Sequence, residues 1–299
     1  MTNMRLYPEA TELFLASGSC NTESSKRTMA GTLRQLQQAN PGLKLDEYRT
    51  SHLSDFCMHG DPAPYTVRAR RSRLRAFFEW AQYRELVTVN PASSLKYTVR
   101  VQGSGTRQHN WLSEMEVAEV LRSCSDDMPG KRTKIMLMHG FMMGLRRHEI
   151  AGLRWGQYSA DLSRLSVYGK GRKLVQLGVP PQLRAELTEW RRVAPAGAVA
   201  VLPKFPDWFE NGGGDPLWDH PISDPSVHHH VVDVSTSVGI KFRSHDMRRS
   251  FAGILEAKGV PLGDISRLLR HASIATTSVY LESNPRKTAA LADNITLEL

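Results

Sequence analysis

The chain has 299 residues, 40% hydrophobic and 23% charged, which excludes a fibrous or disordered polymer and leaves room for two compact cores. No run of eighteen apolar residues occurs, and Met1 to Glu12 carries acids where a signal peptide has its apolar stretch, so no membrane span is expected and a cytoplasmic setting is. A formal charge of +9 calls for a polyanionic partner, while Cys20, Cys57 and Cys124, widely spaced and without a C-x-x-C pair, indicate neither a disulfide frame nor a zinc site.

The basic excess is concentrated early: residues 1–110 hold 15 Lys/Arg against 9 Asp/Glu, the remainder 24 against 21. Apolar residues recur at helical spacing over Pro8 to Ser17, Glu23 to Gln38, Leu45 to Met58 and Pro64 to Arg84, which predicts a small helical bundle. In the fourth stretch Leu74, Phe77, Phe78 and Ala81 form an apolar stripe. Arg68, Arg70, Arg71, Arg73 and Arg75 crowd the first half of that stretch with Glu79 as the one acid before Arg84. Such a run reads either as a solvated face or as a helix laid along DNA phosphates.

Val101 to Asn110 is polar, holds two glycines and has no apolar period, so a linker is placed at 101–110 between domains 1–100 and 111–283. Ser113 with Glu116 three residues on is a capping box opening a helix, and a second helix is expected over Lys131 to Met143, stopped by Gly144. Arg164 to Tyr168 and Leu174 to Val179 flank Gly169-Lys170-Gly171 as a two-stranded hairpin closed by Pro180-Pro181. Pro195 to Pro225, rich in Pro, Gly, Asp and Trp, reads as a long loop or insertion in which Trp208 and Trp218 pack. Helices resume over Ser226 to Ser237, Ser244 to Lys258 and Pro261 to Leu269, and a short last one should carry Tyr280. His228-His229-His230 does not read as a metal site, because successive helical positions point in different directions.

Five motifs stand in one order: Gly144-Leu145-Arg146-Arg147-His148-Glu149, then Lys170 in the hairpin, then His245-Asp246-Met247-Arg248, then Arg270-His271, then Tyr280 nine residues beyond His271. In that order the chain resembles the tyrosine recombinase family, which includes lambda-type phage integrases and the Xer proteins. The resemblance covers most of the chain and implies Arg146, Lys170, His245, Arg248, His271 and Tyr280 as catalytic residues with Glu149 in support. It departs at Arg270, where the family usually has glycine before the histidine. This change alters how closely the backbone passes a phosphate or adds a phosphate contact.

The chemistry of each residue type suits the assignment. The transition state of a phosphodiester concentrates charge on its non-bridging oxygens, and Arg146 and Arg248 can fork onto them. A tyrosine hydroxyl with an ordinary pKa of about 10 needs help to attack, for which His245 is placed as base. Lys170 would protonate the departing 5′ oxygen and His271 would hydrogen-bond a phosphate oxygen. A 3′-phosphotyrosyl link conserves the bond energy, so no metal, ATP or other cofactor is expected, in keeping with the missing G-x-x-x-x-G-K-[ST] loop.

The resemblance further implies a mainly α fold with a small β-sheet. It would be a C-shaped clamp of two domains, with a helical core-binding domain and a mixed α/β catalytic domain of the DNA breaking-rejoining type. The partner would be double-stranded DNA, held by a homotetramer on two sites, with accessory or directionality proteins and a tail, 284–299, that docks on a neighbouring protomer. No room is left for an arm-binding domain. Integration by a phage or mobile element is the first expectation, followed by a Xer-like dimer resolvase, a type IB topoisomerase and a non-catalytic DNA-binding protein.

Overall fold

The computed structural model describes residues 4–101, 111–168, 174–206, 215–271 and 277. The chain divides into two compact units, Met1–Arg107 and Gln108–Leu299. Most of the expected linker and the whole of the expected tail lie outside the described residues.

The first unit is helical: α1 (Thr11–Ala16), α2 (Glu23–Ala39), α3 (Thr50–Met58), α4 (Pro64–Tyr83) and the short α5 (Leu95–Thr98). Thr22 starts α2 by accepting the Ser25 N–H on its hydroxyl at 3.1 Å, and Pro64 starts α4 where its missing N–H needs no partner. Two expected stretches are broken up. Leu6–Ala10 forms a wide turn with Tyr7 extended, so the first α-helix begins only at Thr11. Leu45–Glu47 is a single 3-10 turn, separated from α3 by the extended Tyr48. The α4 stripe is buried as its spacing requires, and Phe14 meets Phe77 and Trp80 edge-on at 5.4 and 5.2 Å.

The second unit contains α6 (Glu114–Arg122), α7 (Met128–Met143), α8 (Arg147–Ala151), β1 (Arg164–Tyr168), β2 (Leu174–Gly178), α9 (Pro181–Val193), β3 (Pro203–Lys204), β4 (Leu217–Pro221), α10 (Asp224–Ser237), α11 (Ser244–Ala257) and α12 (Leu262–Leu269). The fold is therefore mostly helical, with two antiparallel pairs, β1–β2 and β3–β4, in place of the single small sheet expected. In the first pair Tyr168 stands opposite Leu174. Ser113 and Glu116 close the expected capping box, the Glu116 carboxylate accepting the Ser113 N–H at 2.6 Å.

Helix α7 is the central element, buried on nearly all sides. Asp127 caps it by accepting the Gly130 N–H at 2.7 Å, which starts the helix three residues before the expected Lys131. At Gly140 an added Cβ would sit 2.7 Å from Met247, so the missing side chain lets α11 lie close against α7. Gly144 ends α7 at φ 58°, and a Cβ there would stand 2.6 Å from Phe251 and 3.0 Å from Leu269.

The described parts of Pro195 to Pro225 are more regular than a loop. They hold β3 and β4, and α10 begins at Asp224. Trp218 packs its ring 5.3 Å from Trp190, as its expected packing role requires, while Trp208 lies outside the described residues. Arg132 of α7 anchors this region from within: buried, it donates to the Pro203 carbonyl at 3.0 Å, approaches His230 Nε2 at 2.7 Å and stacks over Phe205. His230 is thus turned onto Arg132, apart from the rings of His228 and His229, whose centroids lie 6.0 Å from each other. No helix among the described residues is long and apolar enough to cross a membrane.

Candidate active site

The site grows from the turn between α7 and α8. Gly144 reverses the chain, Leu145 is buried, and Arg146 becomes the residue that opens α8. Its backbone N–H donates to Glu149 Oε2 at 2.7 Å, and its guanidinium donates to Glu149 Oε1 at 3.1 Å and to the Arg270 carbonyl at 3.4 Å. One face of Arg146 is therefore held while its side chain stays 32% exposed. A cation fixed from behind and open in front can receive an anion without first being ordered.

Arg248 comes from α11, whose packing on α7 leaves it 1% exposed. Its guanidinium donates to the carbonyls of Gly144 and Leu269. These two carbonyls fix the plane of the buried guanidinium and satisfy part of its donor set. His245, itself exposed, lies three residues earlier in the first turn of α11.

His271 follows α12. Its N–H donates to the Ser266 carbonyl at 3.1 Å and its Nδ1 lies 2.7 Å from the Thr277 hydroxyl. Burial, followed by the charges of Arg248, Arg146, His245 and Arg270, pushes His271 down to about 4. The imidazole is therefore uncharged at neutral pH and keeps one N–H with which to donate to an oxyanion. The same interactions show that Arg146, Arg248, His245 and His271 gather in one place although they come from widely separated parts of the chain.

Glu149 sits beneath this group. Burial would raise its carboxyl, but Arg270, the Arg146 N–H and the Arg146 guanidinium overcome that and hold it below the usual carboxylate range. Arg270 is the partner that the sequence flagged only as a departure. It adopts the left-handed conformation at φ 54°, and its side chain turns inward to donate to Glu149 Oε2 at 2.7 Å. Thr277 was also missed, since nothing in its spacing marks a hydroxyl facing His271. Lys170 and Tyr280 lie outside the described residues.

The five arginines of α4 belong to the first unit and do not form one uniform face. Arg70 donates to the carbonyls of Phe56, Cys57 and His59 at 3.0, 3.4 and 3.1 Å, Arg71 to that of Val99 at 3.1 Å, and Arg73 to the Thr32 hydroxyl at 3.2 Å. Arg75 pairs with Glu79 at 3.3 Å, and Arg68 is exposed. Within α4 the one acid, Glu79, pairs with Arg75, and the acceptors of Arg70, Arg71 and Arg73 come from neighbouring segments.

Two fixed guanidiniums, an uncharged imidazole and an exposed one make a cationic cluster of the kind that holds a phosphate oxyanion, on a mostly helical fold with two small sheets. Residues 110–287 match the phage integrase family. The tyrosine recombinase XerC of Xylella fastidiosa is 30% identical over 72% of this chain and 69% of its own length. Among solved structures, the XerH site-specific recombinase bound to a palindromic difH substrate superposes with a TM-score of 0.71 at 18% identity, over 95% of this chain and 83% of that one. A lambda integrase dimer bound to a COC′ core site gives 0.69 at 14% identity, over 97% and 79%. The chain belongs to the phage integrase family and is a tyrosine-type site-specific recombinase.

Proposed function

We propose that this recombinase cuts and rejoins double-stranded DNA through Tyr280. The observation that carries the reading is the convergence of Arg146, Arg248, His245 and His271 around one space, with both guanidiniums anchored by main-chain carbonyls. The Tyr280 oxygen attacks phosphorus, its proton passing to His245. The bond from phosphorus to the 5′ oxygen breaks as Lys170 protonates the leaving oxygen, and the 3′-phosphotyrosyl link and 5′-hydroxyl remain. Arg146 and Arg248 hold the non-bridging oxygens, with His271 donating to one of them. A 5′-hydroxyl from another strand reverses the attack and completes the exchange.

In this reading the first unit is a core-type DNA-binding domain, with Arg68, Arg70, Arg71, Arg73 and Arg75 in its basic helix. The second is the catalytic domain, and four protomers assemble on two sites. The DNA named with XerH and with the lambda integrase dimer supports duplex DNA and a multimer. Within the family, the XerC relative supports a Xer-type resolvase over integration by a phage or mobile element.

The test is covalent capture. Nicked duplexes from a randomised pool are incubated with the protein, and those retained after denaturation are sequenced. A 3′-linked adduct at Tyr280, absent from Tyr280→Phe, is expected; an adduct that survives that substitution would refute the mechanism. A plasmid carrying two direct copies of the captured sequence is then expected to resolve into two circles, and relaxation without exchange would point to topoisomerase action.

A further inference from the structure

We propose that Arg270 is a positioning residue of the recombinase site: by holding Glu149 from inside the fold it fixes the carboxylate that orients Arg146 and keeps the cradle cationic. The inference rests on the phosphate-cradle reading above. Its basis is how the two oxygens of Glu149 are shared. Oε1 takes the Arg146 guanidinium at 3.1 Å, while Oε2 takes both the Arg146 N–H and the Arg270 guanidinium at 2.7 Å. The side chains of Glu149 and Arg270 are 7% and 3% exposed, so water does little to screen either charge.

Without Arg270, the buried carboxylate would have Arg146 as its one countercharge among these bonds, and its attraction would compete with the phosphate for that guanidinium. With Arg270 in place the three side chains sum to one positive charge, and the carboxylate plane is fixed by bonds from two sides. Arg270 makes two further bonds: its backbone carbonyl accepts from the Arg146 guanidinium at 3.4 Å, and its side-chain Nη1 donates to the Leu268 carbonyl at 3.1 Å.

The conformation of residue 270, φ 54° and ψ 43°, is one that glycine adopts at no steric cost and other residues at some cost. The chain therefore carries a strained residue where glycine would suit the backbone better, and its ion pair with Glu149 gives that choice a reason. Two contributions become separable by substitution. Glycine supplies the backbone shape without the charge; lysine supplies a cation that can reach Glu149.

Arg270→Gly, Arg270→Lys and Arg270→Gln are compared with the unsubstituted chain on a nicked duplex recovered by the covalent capture described above. The first-order rate of adduct formation at saturating protein and the equilibrium affinity for the duplex are measured separately. Arg270→Gly and Arg270→Gln are expected to slow adduct formation about 10- to 100-fold, the scale of a small misplacement of a reacting group, with affinity nearly unchanged. Arg270→Lys is expected to restore most of the rate. The glutamine and lysine pair keeps the comparison if the glycine variant does not fold. Adduct formation by the glycine or glutamine variant at the unsubstituted rate overturns the inference, as does a lysine variant no faster than glutamine. Absence of any adduct from the unsubstituted chain overturns the catalytic reading as well.

Discussion

His139 and Tyr158 form a buried pair in the second unit, with His139 Nε2 2.5 Å from the Tyr158 hydroxyl. His139 Nδ1 lies 2.7 Å from the Ile135 carbonyl, which can only accept, so Nδ1 carries the proton and Nε2 accepts from tyrosine. Burial pushes His139 down to about 4. Its folded pKa thus lies below the unfolded value of about 6.5, so the unfolded chain takes up the proton first on acidification. Stability from this group is complete above about 6.5 and is lost as pH falls toward 4, by an amount on the order of 2–3 kcal/mol. Denaturant unfolding at pH 7 and pH 4.5 checks this, with His139→Gln expected to flatten the dependence; an equal pH dependence in both proteins would contradict it.

Substituting Arg248 by lysine should be severe despite the retained charge. Lysine cannot span the Gly144 and Leu269 carbonyls with a planar fork and still face a phosphate. A loss of about 10²- to 10³-fold in the single-turnover cleavage rate is expected. A near-normal rate would show that a point charge is sufficient there.

Arg68 and Arg70 should separate binding from stability. Arg70 closes the end of α3 through the carbonyls of Phe56, Cys57 and His59, so Arg70→Ala should lower stability by about 1–3 kcal/mol, seen in thermal unfolding. Arg68 is exposed, and Arg68→Ala should cost less stability than Arg70→Ala while reducing the slope of log affinity against log salt by about one. The reverse pattern would place Arg68 in the fold and Arg70 on the ligand.

DNA binding by the unsubstituted chain should weaken by roughly 10³-fold or more between 50 and 200 mM salt if six or more phosphates are neutralised. Fluorescence anisotropy with a labelled duplex measures it. A flat response would count against the basic helix as a phosphate-binding surface.

The sequence was most legible where chemistry is tied to short spacing. Arg146 and Glu149, and His245 and Arg248, are each three residues apart on one element, and the structure brings the arginines and histidines together. The Glu149–Arg270 ion pair was not legible, because it joins residues 121 positions apart and one of them breaks the family pattern. Helix α9 was overlooked although Leu183, Leu187 and Trp190 recur at helical spacing, since Pro180-Pro181 read as the close of a hairpin when Pro181 is the first residue of the helix. Strand β3 has two residues and is stabilised by a partner beyond residue 215, which no local pattern could announce. The inward turn of Arg70 likewise depends on acceptors that only tertiary structure brings near.

The carbonyls that hold Arg248 and Arg146 belong to Leu269 and Arg270, neighbours in the chain. These oxygens lie on successive peptide planes, and their separation is set by the φ of 54° and ψ of 43° at Arg270. The end of α12 thus works as a jig in which one residue's backbone spaces the anchors of both cations, and that same residue's side chain holds Glu149.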